Sequence, residues 1–111
     1  MKIVHEQDGD VEVIKPRGPL VAEDSEQLRR QVNKAMEEHG GAVILDMSGV
    51  PFVDSQGLEA LMDLTEHLIR TGQALKVCGL NETLCEVLEI TELAALFEQF
   101  DDVASAVGSL R

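Results

Sequence analysis

The spacing of apolar and polar positions changes several times along the chain, and each change marks an element. Over residues 2–7 and 10–15 the short alternating pattern predicts two strands. Asp8-Gly9 between them predicts a hairpin turn, because glycine tolerates positive φ. In the second strand Val11, Val13 and Lys15 alternate with Glu12 and Ile14, so both of its faces are expected to be covered. Pro16-Arg17-Gly18-Pro19 then breaks the pattern. From Asp24 to Glu38 the period becomes helical, with Leu28, Val32, Ala35 and Met36 as the buried stripe. Asp24 reads as the N-cap of this helix and Gln27 as its partial capping-box partner, while His39-Gly40-Gly41 ends it.

Ala42 to Met47 is a continuous apolar run of strand length, the pattern of a central strand covered on both faces. After the loop Ser48 to Val53, a second helix is predicted over Ser55 to Arg70. Leu58, Leu61, Met62, Thr65, Leu68 and Ile69 carry its periodicity, and Thr71-Gly72 stops it. Leu75, Val77 and Cys78 predict another strand. Leu84, Val87 and Leu88 predict a short helix, and Leu96 to Phe100 a last short strand. A terminal helix follows, capped by Asp101, with Val103, Ala106, Val107 and Leu110 facing inward. The order ββαβαβαβα gives the fold class as α/β: a mixed sheet of four to five strands opened by a hairpin, with about four helices. The long helices from Asp24 and Ser55 are expected on one face.

At 111 residues the chain is read as a single domain over 1–111. It contains 44% apolar residues, no Trp or Tyr and only three Phe, so its core must be aliphatic. Nine basic residues against 21 acidic ones give a net charge of −12. A surface this acidic repels phosphate backbones and anionic lipid, which excludes nucleic acid as a partner and favours a basic protein. No apolar run reaches the roughly 20 residues of a membrane span, so no direct membrane insertion is expected. The opening Met1-Lys2-Ile3-Val4-His5-Glu6 turns acidic too soon for a signal or transit peptide, and the expected location is cytoplasmic. Cys78 and Cys85 are not in a paired motif and read as reduced thiols, Cys78 in the core and Cys85 on the third helix near it. His5, His39 and His67 lack ligand spacing, so no metal is predicted.

The informative stretch runs from Val43 to Leu58: a buried strand, a short loop, a helix start. Loops beyond the carboxyl ends of strands are where sites gather in open α/β sheets. Asp54-Ser55 falls at the helix N-terminus, where free N–H groups and the helix dipole favour negative charge. A phosphate on Ser55 would be tolerated there by the fold while adding roughly −1.5 to −2 charges to an exposed surface. On spacing alone, Asp-Ser before an apolar run is also an ordinary helix start. A receiver domain with Asp46 as phosphoacceptor would open strand-then-helix, not with a hairpin. A nucleophile elbow needs glycine two residues before the serine, where Val53 stands. Gly-rich phosphate loops are absent, so no cofactor is implied and any ATP belongs to a partner.

The run Leu45-Asp46-Met47-Ser48-Gly49-Val50-Pro51-Phe52-Val53-Asp54-Ser55-Gln56-Gly57-Leu58 resembles the signature of the STAS family, the anti-sigma-factor antagonists. Gly18-Pro19-Leu20, Leu75-Lys76-Val77-Cys78-Gly79 and Leu96-Phe97-Glu98-Gln99-Phe100 extend the resemblance over nearly the whole chain. The resemblance implies a non-enzymatic switch. Its partner is an anti-sigma factor that is also a serine kinase of histidine-kinase-like ATPase fold. That kinase phosphorylates the position of Ser55, and a cognate serine phosphatase resets the cycle. Asp54, Ser55, Gln56, Gly57 and Leu58 would form the contact surface, with Gly57 allowing close approach. Members of the family generally carry an Asp after the Gly-x-Leu segment, and here that place holds Val21, with Glu23 and Asp24 as nearby substitutes. STAS domains also serve as accessory subunits gripping the ATPase of a membrane transporter, or as scaffold subunits of stress-signalling assemblies. These readings need no phosphorylation.

Overall fold

In the computed structural model, which describes residues 1–40 and 42–110, Lys2–Asp8 (β1) pairs antiparallel with Val11–Arg17 (β2) across a two-residue turn. The turn is Gly9-Asp10, one residue later than the sequence suggests, with Gly9 in the left-handed region at φ 65°. Strand β2 also continues through Pro16, where the sequence predicts a break. Proline is accommodated because its parallel neighbour pairs only as far as Ile14, so no ladder there needs the missing N–H.

Val43–Asp46 (β3), Leu75–Cys78 (β4) and Phe97–Phe100 (β5) add in parallel, giving a five-stranded sheet in the order β1-β2-β3-β4-β5. The connections are the helices Ala22–His39 (α1), Ser55–Arg70 (α2) and Glu82–Ile90 (α3), and Val103–Gly108 (α4) follows the last strand. This is the mixed sheet with four helices that the pattern predicts.

The sheet has a core on each face. One side packs Leu28, Val32, Ala35 and Met36 of α1 and Leu61, Leu64 and Leu68 of α2 against Ile14, Leu45, Leu75 and Val77, with Leu84 and Leu88 of α3 alongside. The other packs Ala106 and Val107 of α4 against Val11, Val13, Ile44 and Cys78. Residues of both central strands thus enter both cores, which is why β3 reads as an unbroken apolar run and β2 shows both alternations.

Several expectations at element ends are corrected. Helix α1 starts at Ala22, with extended Val21 in the cap position and no side-chain cap, so Asp24 is not its N-cap. The Asp24 carboxylate accepts instead from the Met1 amino group at 2.9 Å. Asp102, not Asp101, caps α4, accepting from the Ser105 N–H at 2.8 Å. The backbone N–H and then the hydroxyl of Ser105 hold the Asp102 carboxyl below its usual range. On α2 the buried line is Ala60, Leu61, Leu64, Thr65 and Leu68, while Met62 and Ile69 are 40% and 54% exposed. Gly40 caps α1 in the left-handed conformation, and Gly41 lies outside the described residues.

His5 and His39, separate in sequence, converge on one carboxylate: His5 Nδ1 lies 3.1 Å from Glu12 Oε1 and His39 Nε2 3.4 Å from Glu12 Oε2. Among the described residues no group of three or more His, Cys, Asp or Glu is placed to hold a metal ion. No helix among them is long and apolar enough to cross a membrane.

Both cysteines are free. Burial, and then the neighbouring Asp46 carboxylate, push the Cys78 thiol up to about 12. Since the thiolate is the reacting form, iodoacetamide at neutral pH should label the half-buried Cys85 and spare Cys78 until the fold is opened with denaturant. Peptide mapping after alkylation checks this, and equal labelling of both thiols in the native protein would contradict the buried position of Cys78.

Candidate functional site

The loop from β3 into α2 is built before any partner is considered. Asp46 ends β3 almost buried, and its Oδ1 accepts from the Ser48 N–H at 3.0 Å, turning the chain. Met47 and Val50 are buried beneath the loop. Asn81 holds it from the side: its amide donates to the carbonyls of Val50 at 3.4 Å and Pro51 at 3.1 Å, while its Oδ1 caps α3 through the Leu84 N–H at 2.8 Å. Sequence reasoning missed Asn81; the signal was its position as an N-cap residue directly before Glu82-Thr83-Leu84.

A second segment locks onto the first. The Leu20 N–H donates to the Phe52 carbonyl at 3.0 Å, the Asp54 N–H donates to the Leu20 carbonyl at 3.2 Å, and Leu20 and Val53 form an isolated parallel bridge. Segments 33 residues apart at that bridge therefore present one continuous surface. The fit is close at Gly57, where a Cβ would sit 2.3 Å from the Leu20 carbonyl oxygen. Gly57 is buried and serves the contact of α2 with this chain's own backbone.

The helix start divides its labour between neighbours. Asp54 is the N-cap, half-buried, and its Oδ1 accepts from the Gly57 N–H at 2.8 Å. Ser55 is the first residue of α2 and is exposed; its hydroxyl bonds to no other described residue. Gln56 is exposed, and Leu58 is half-buried against the main core. Across the bridge Val21 is half-buried, while Glu23 is exposed in the first turn of α1. Ala22 between them has a positive φ of 41°, a sharp corner where strand end becomes helix. The structure thus brings Val21 beside Asp54 and Ser55, whereas the Asp24 carboxylate is engaged on the Met1 amine. Phe52, 48% exposed at the loop tip, joins the surface and was not singled out by the sequence, because apolar periodicity assigns it to no element.

Gln56 also lines a cleft of about 320 Å³ between α1 and α2, with Ser25, Glu26, Arg29, Glu59 and Asp63 around it. Arg29 donates from Nε to Glu26 Oε2 at 3.1 Å and from Nη2 to Glu26 Oε1. That pairing holds the Glu26 carboxyl below its ordinary value and raises the Arg29 guanidinium.

The sheet opened by a hairpin, with helices on both faces, makes this a small mixed α/β domain. The chain belongs to the STAS domain family, whose model matches residues 2–106. A curated relative, the anti-sigma F factor antagonist of Paenibacillus polymyxa, is 23% identical over 114 residues, covering 99% of this chain and 95% of the relative. The anti-sigma factor antagonist SpoIIAA in its unphosphorylated form matches with a TM-score of 0.74 at 19% identity, over 99% of this chain and 98% of that one. SpoIIAA has also been solved in its phosphorylated form, which matches with a TM-score of 0.69. A sulfate transporter family protein from Wolinella succinogenes shares the fold with a TM-score of 0.77 at 26% identity, over 92% of this chain and 85% of that one.

Proposed function

We propose that this protein is an anti-sigma-factor antagonist, a cytoplasmic single-domain switch without catalytic activity of its own. It binds an anti-sigma factor that is a serine kinase of histidine-kinase-like ATPase fold when Ser55 is unphosphorylated, so that the sigma factor is released. A serine phosphatase restores the binding form. The observation that carries this reading is the separation of roles at the start of α2: Asp54 supplies the cap, so the Ser55 hydroxyl is exposed and uncommitted. A serine needed as a helix cap would have its oxygen turned onto the backbone. The family membership and the curated relative support the same reading.

The binding surface is Asp54, Ser55, Gln56 and Leu58 with Val21 and Glu23 beside them, and Gly57 sets its shape from below. Incubation with a purified serine-kinase anti-sigma factor and ATP should add one phosphate, mapped by mass spectrometry to Ser55 and absent from Ser55→Ala. Stable binding with no phosphate on Ser55 would instead favour the accessory-subunit role at a transporter ATPase, the reading to which Val21, in place of the family's usual Asp, lends weight.

A further inference from the structure

The side of the sheet opposite α1 and α2 carries a corner of unneutralised positive charge. Val11 and Val13 of β2 enter the core beneath α4; Lys15 and Arg17 continue that alternation and line a surface cleft of about 380 Å³ with Asp46, Ser48 and Gly49. Across the β1–β2 ladder Arg17 stands directly opposite Lys2. Like charges so placed destabilise a strand pair. Neither side chain has an ion-pair or hydrogen-bond partner among the described residues. Lys15, further along the same face, holds Glu6 at 3.0 Å. The stem of Arg17 crosses the turn after β3, its Cγ 3.4 Å from where a Cβ on Gly49 would be. At that turn the Ser48 hydroxyl is exposed and bonds to no other described residue. A chain with nine basic residues against 21 acidic ones thus gathers three cations at one corner, two of them unpaired, beside a free hydroxyl.

We infer that this cleft binds a small phosphate, free or as a phosphomonoester, held by Arg17 with Lys15 and the Ser48 hydroxyl. The guanidinium fork meets two phosphate oxygens at once, Lys15 adds a second cation, and the hydroxyl donates a further hydrogen bond. Binding also relieves the repulsion between Arg17 and Lys2 by placing an anion beside both. Asp46, almost buried at the end of β3, makes the cleft selective. Its carboxylate repels a fully ionised anion but accepts a hydrogen bond from one that keeps a proton. Phosphate keeps a proton near its second ionisation, at about pH 6, and sulfate does not. No aromatic ring is among the described lining residues, so a nucleobase has nothing to stack on. The net charge of −12 opposes a polyanion, which leaves a single small phosphate as the ligand that fits.

The site is independent of the proposed switch, and its test does not use Ser55. Inorganic phosphate titrated into the isotope-labelled protein at constant ionic strength, at about pH 6.5, should give saturable amide shifts at Arg17, Ser48 and Gly49. The shifts should be the same in Ser55→Ala. Glycerol phosphate should bind as tightly as inorganic phosphate, and adenosine monophosphate no more tightly than glycerol phosphate. Sulfate should bind about tenfold more weakly, equivalent to ~1.4 kcal/mol. Arg17→Gln should weaken phosphate binding by a similar factor, whereas Arg30→Gln, which removes an exposed cation from α1, should leave it unchanged. Asp46→Asn keeps an oxygen for the Ser48 N–H and should narrow the gap between phosphate and sulfate. Absence of saturable shifts, or equal weakening by Arg17→Gln and Arg30→Gln, overturns the site. Equal affinity for phosphate and sulfate in the wild type overturns the role of Asp46 and reduces the cleft to a general cationic patch.

Discussion

Gly57→Ala is expected to be the most damaging single-methyl change in the protein. The added Cβ would lie 2.3 Å from the Leu20 carbonyl oxygen and 3.3 Å from both the carbonyl carbon and Cγ of Leu20. The first neighbour is backbone, held by the Asp54 N–H and by the bridge to Val53, and cannot swing aside as a flexible side chain would. Helix α2 must therefore lift off the Leu20 segment, or the segment must give up its hydrogen bonds. Forced overpacking of this kind costs about 3 kcal/mol, at the upper end of its usual range. In a domain of this size that is a fall in melting temperature of roughly 10–20 °C. Urea unfolding of wild type and variant measures it. Gly108→Ala is the control: nothing lies within 4 Å of its added Cβ, and it should raise stability by ~0.5 kcal/mol. A loss below about 0.5 kcal/mol at Gly57, the range of ordinary surface changes, would mean that the α2–Leu20 contact is looser than described.

Ser55→Asp should separate stability from binding more sharply than any other change. Ser55 is exposed at the positive end of a 16-residue helix, where an anion is favoured by about 0.3–1 kcal/mol. Repulsion from the capping Asp54 opposes this, so the melting temperature should move by no more than about 3 °C. At a partner interface the same carboxylate is desolvated without a cation of its own. Leaving it unpaired costs on the order of 1–3 kcal/mol, a weakening of roughly tenfold or more. Calorimetric titration of wild type, Ser55→Ala and Ser55→Asp with the proposed partner, a serine-kinase anti-sigma factor, alongside thermal unfolding, reads both quantities. Ser55→Ala should bind like wild type. Identical affinity for all three variants would place Ser55 outside the contact surface.

Much of the fold was legible because its strongest signals are local. The apolar run Ala42 to Met47 has the pattern of a doubly covered strand and holds β3, and α2 begins at Ser55 and ends at Arg70 as its periodicity and the following Thr71-Gly72 predict. What the sequence concealed was set by tertiary contacts. Asp24 has the chemistry of an N-cap, yet α1 starts earlier because Leu20, pinned to Val53, delivers the chain already turned. Met62 and Ile69 fit the helical rhythm, but the buried centre of α2 runs through Leu64, and nothing local decides between two adjacent stripes. At the site, Ser55 could be read from its neighbours in the chain. The reason for Gly57, the tether from Asn81 and the α1–α2 cleft could not, because each depends on a residue at least 30 positions away or on a neighbouring helix.

The sequential strand order bears on how the protein is made. Each strand joins beside the one synthesised just before it, so the sheet can grow at one edge as the chain leaves the ribosome, at about 5–20 residues per second. The Leu20–Val53 bridge, the Asp54 cap and the seat of Gly57 all lie within residues 1–70. From later sequence, Asn81 donates to the Val50 and Pro51 carbonyls, the Cys78 carbonyl accepts from the Met47 N–H at 2.9 Å, and Gly79 packs closely against Asp46 and Ser48. Strands β4 and β5 and the last two helices complete the cores around a start of α2 whose own hydrogen bonds to the Leu20 segment can already have formed. Truncation or late misfolding at the C-terminal edge therefore threatens stability before it distorts the geometry around Ser55.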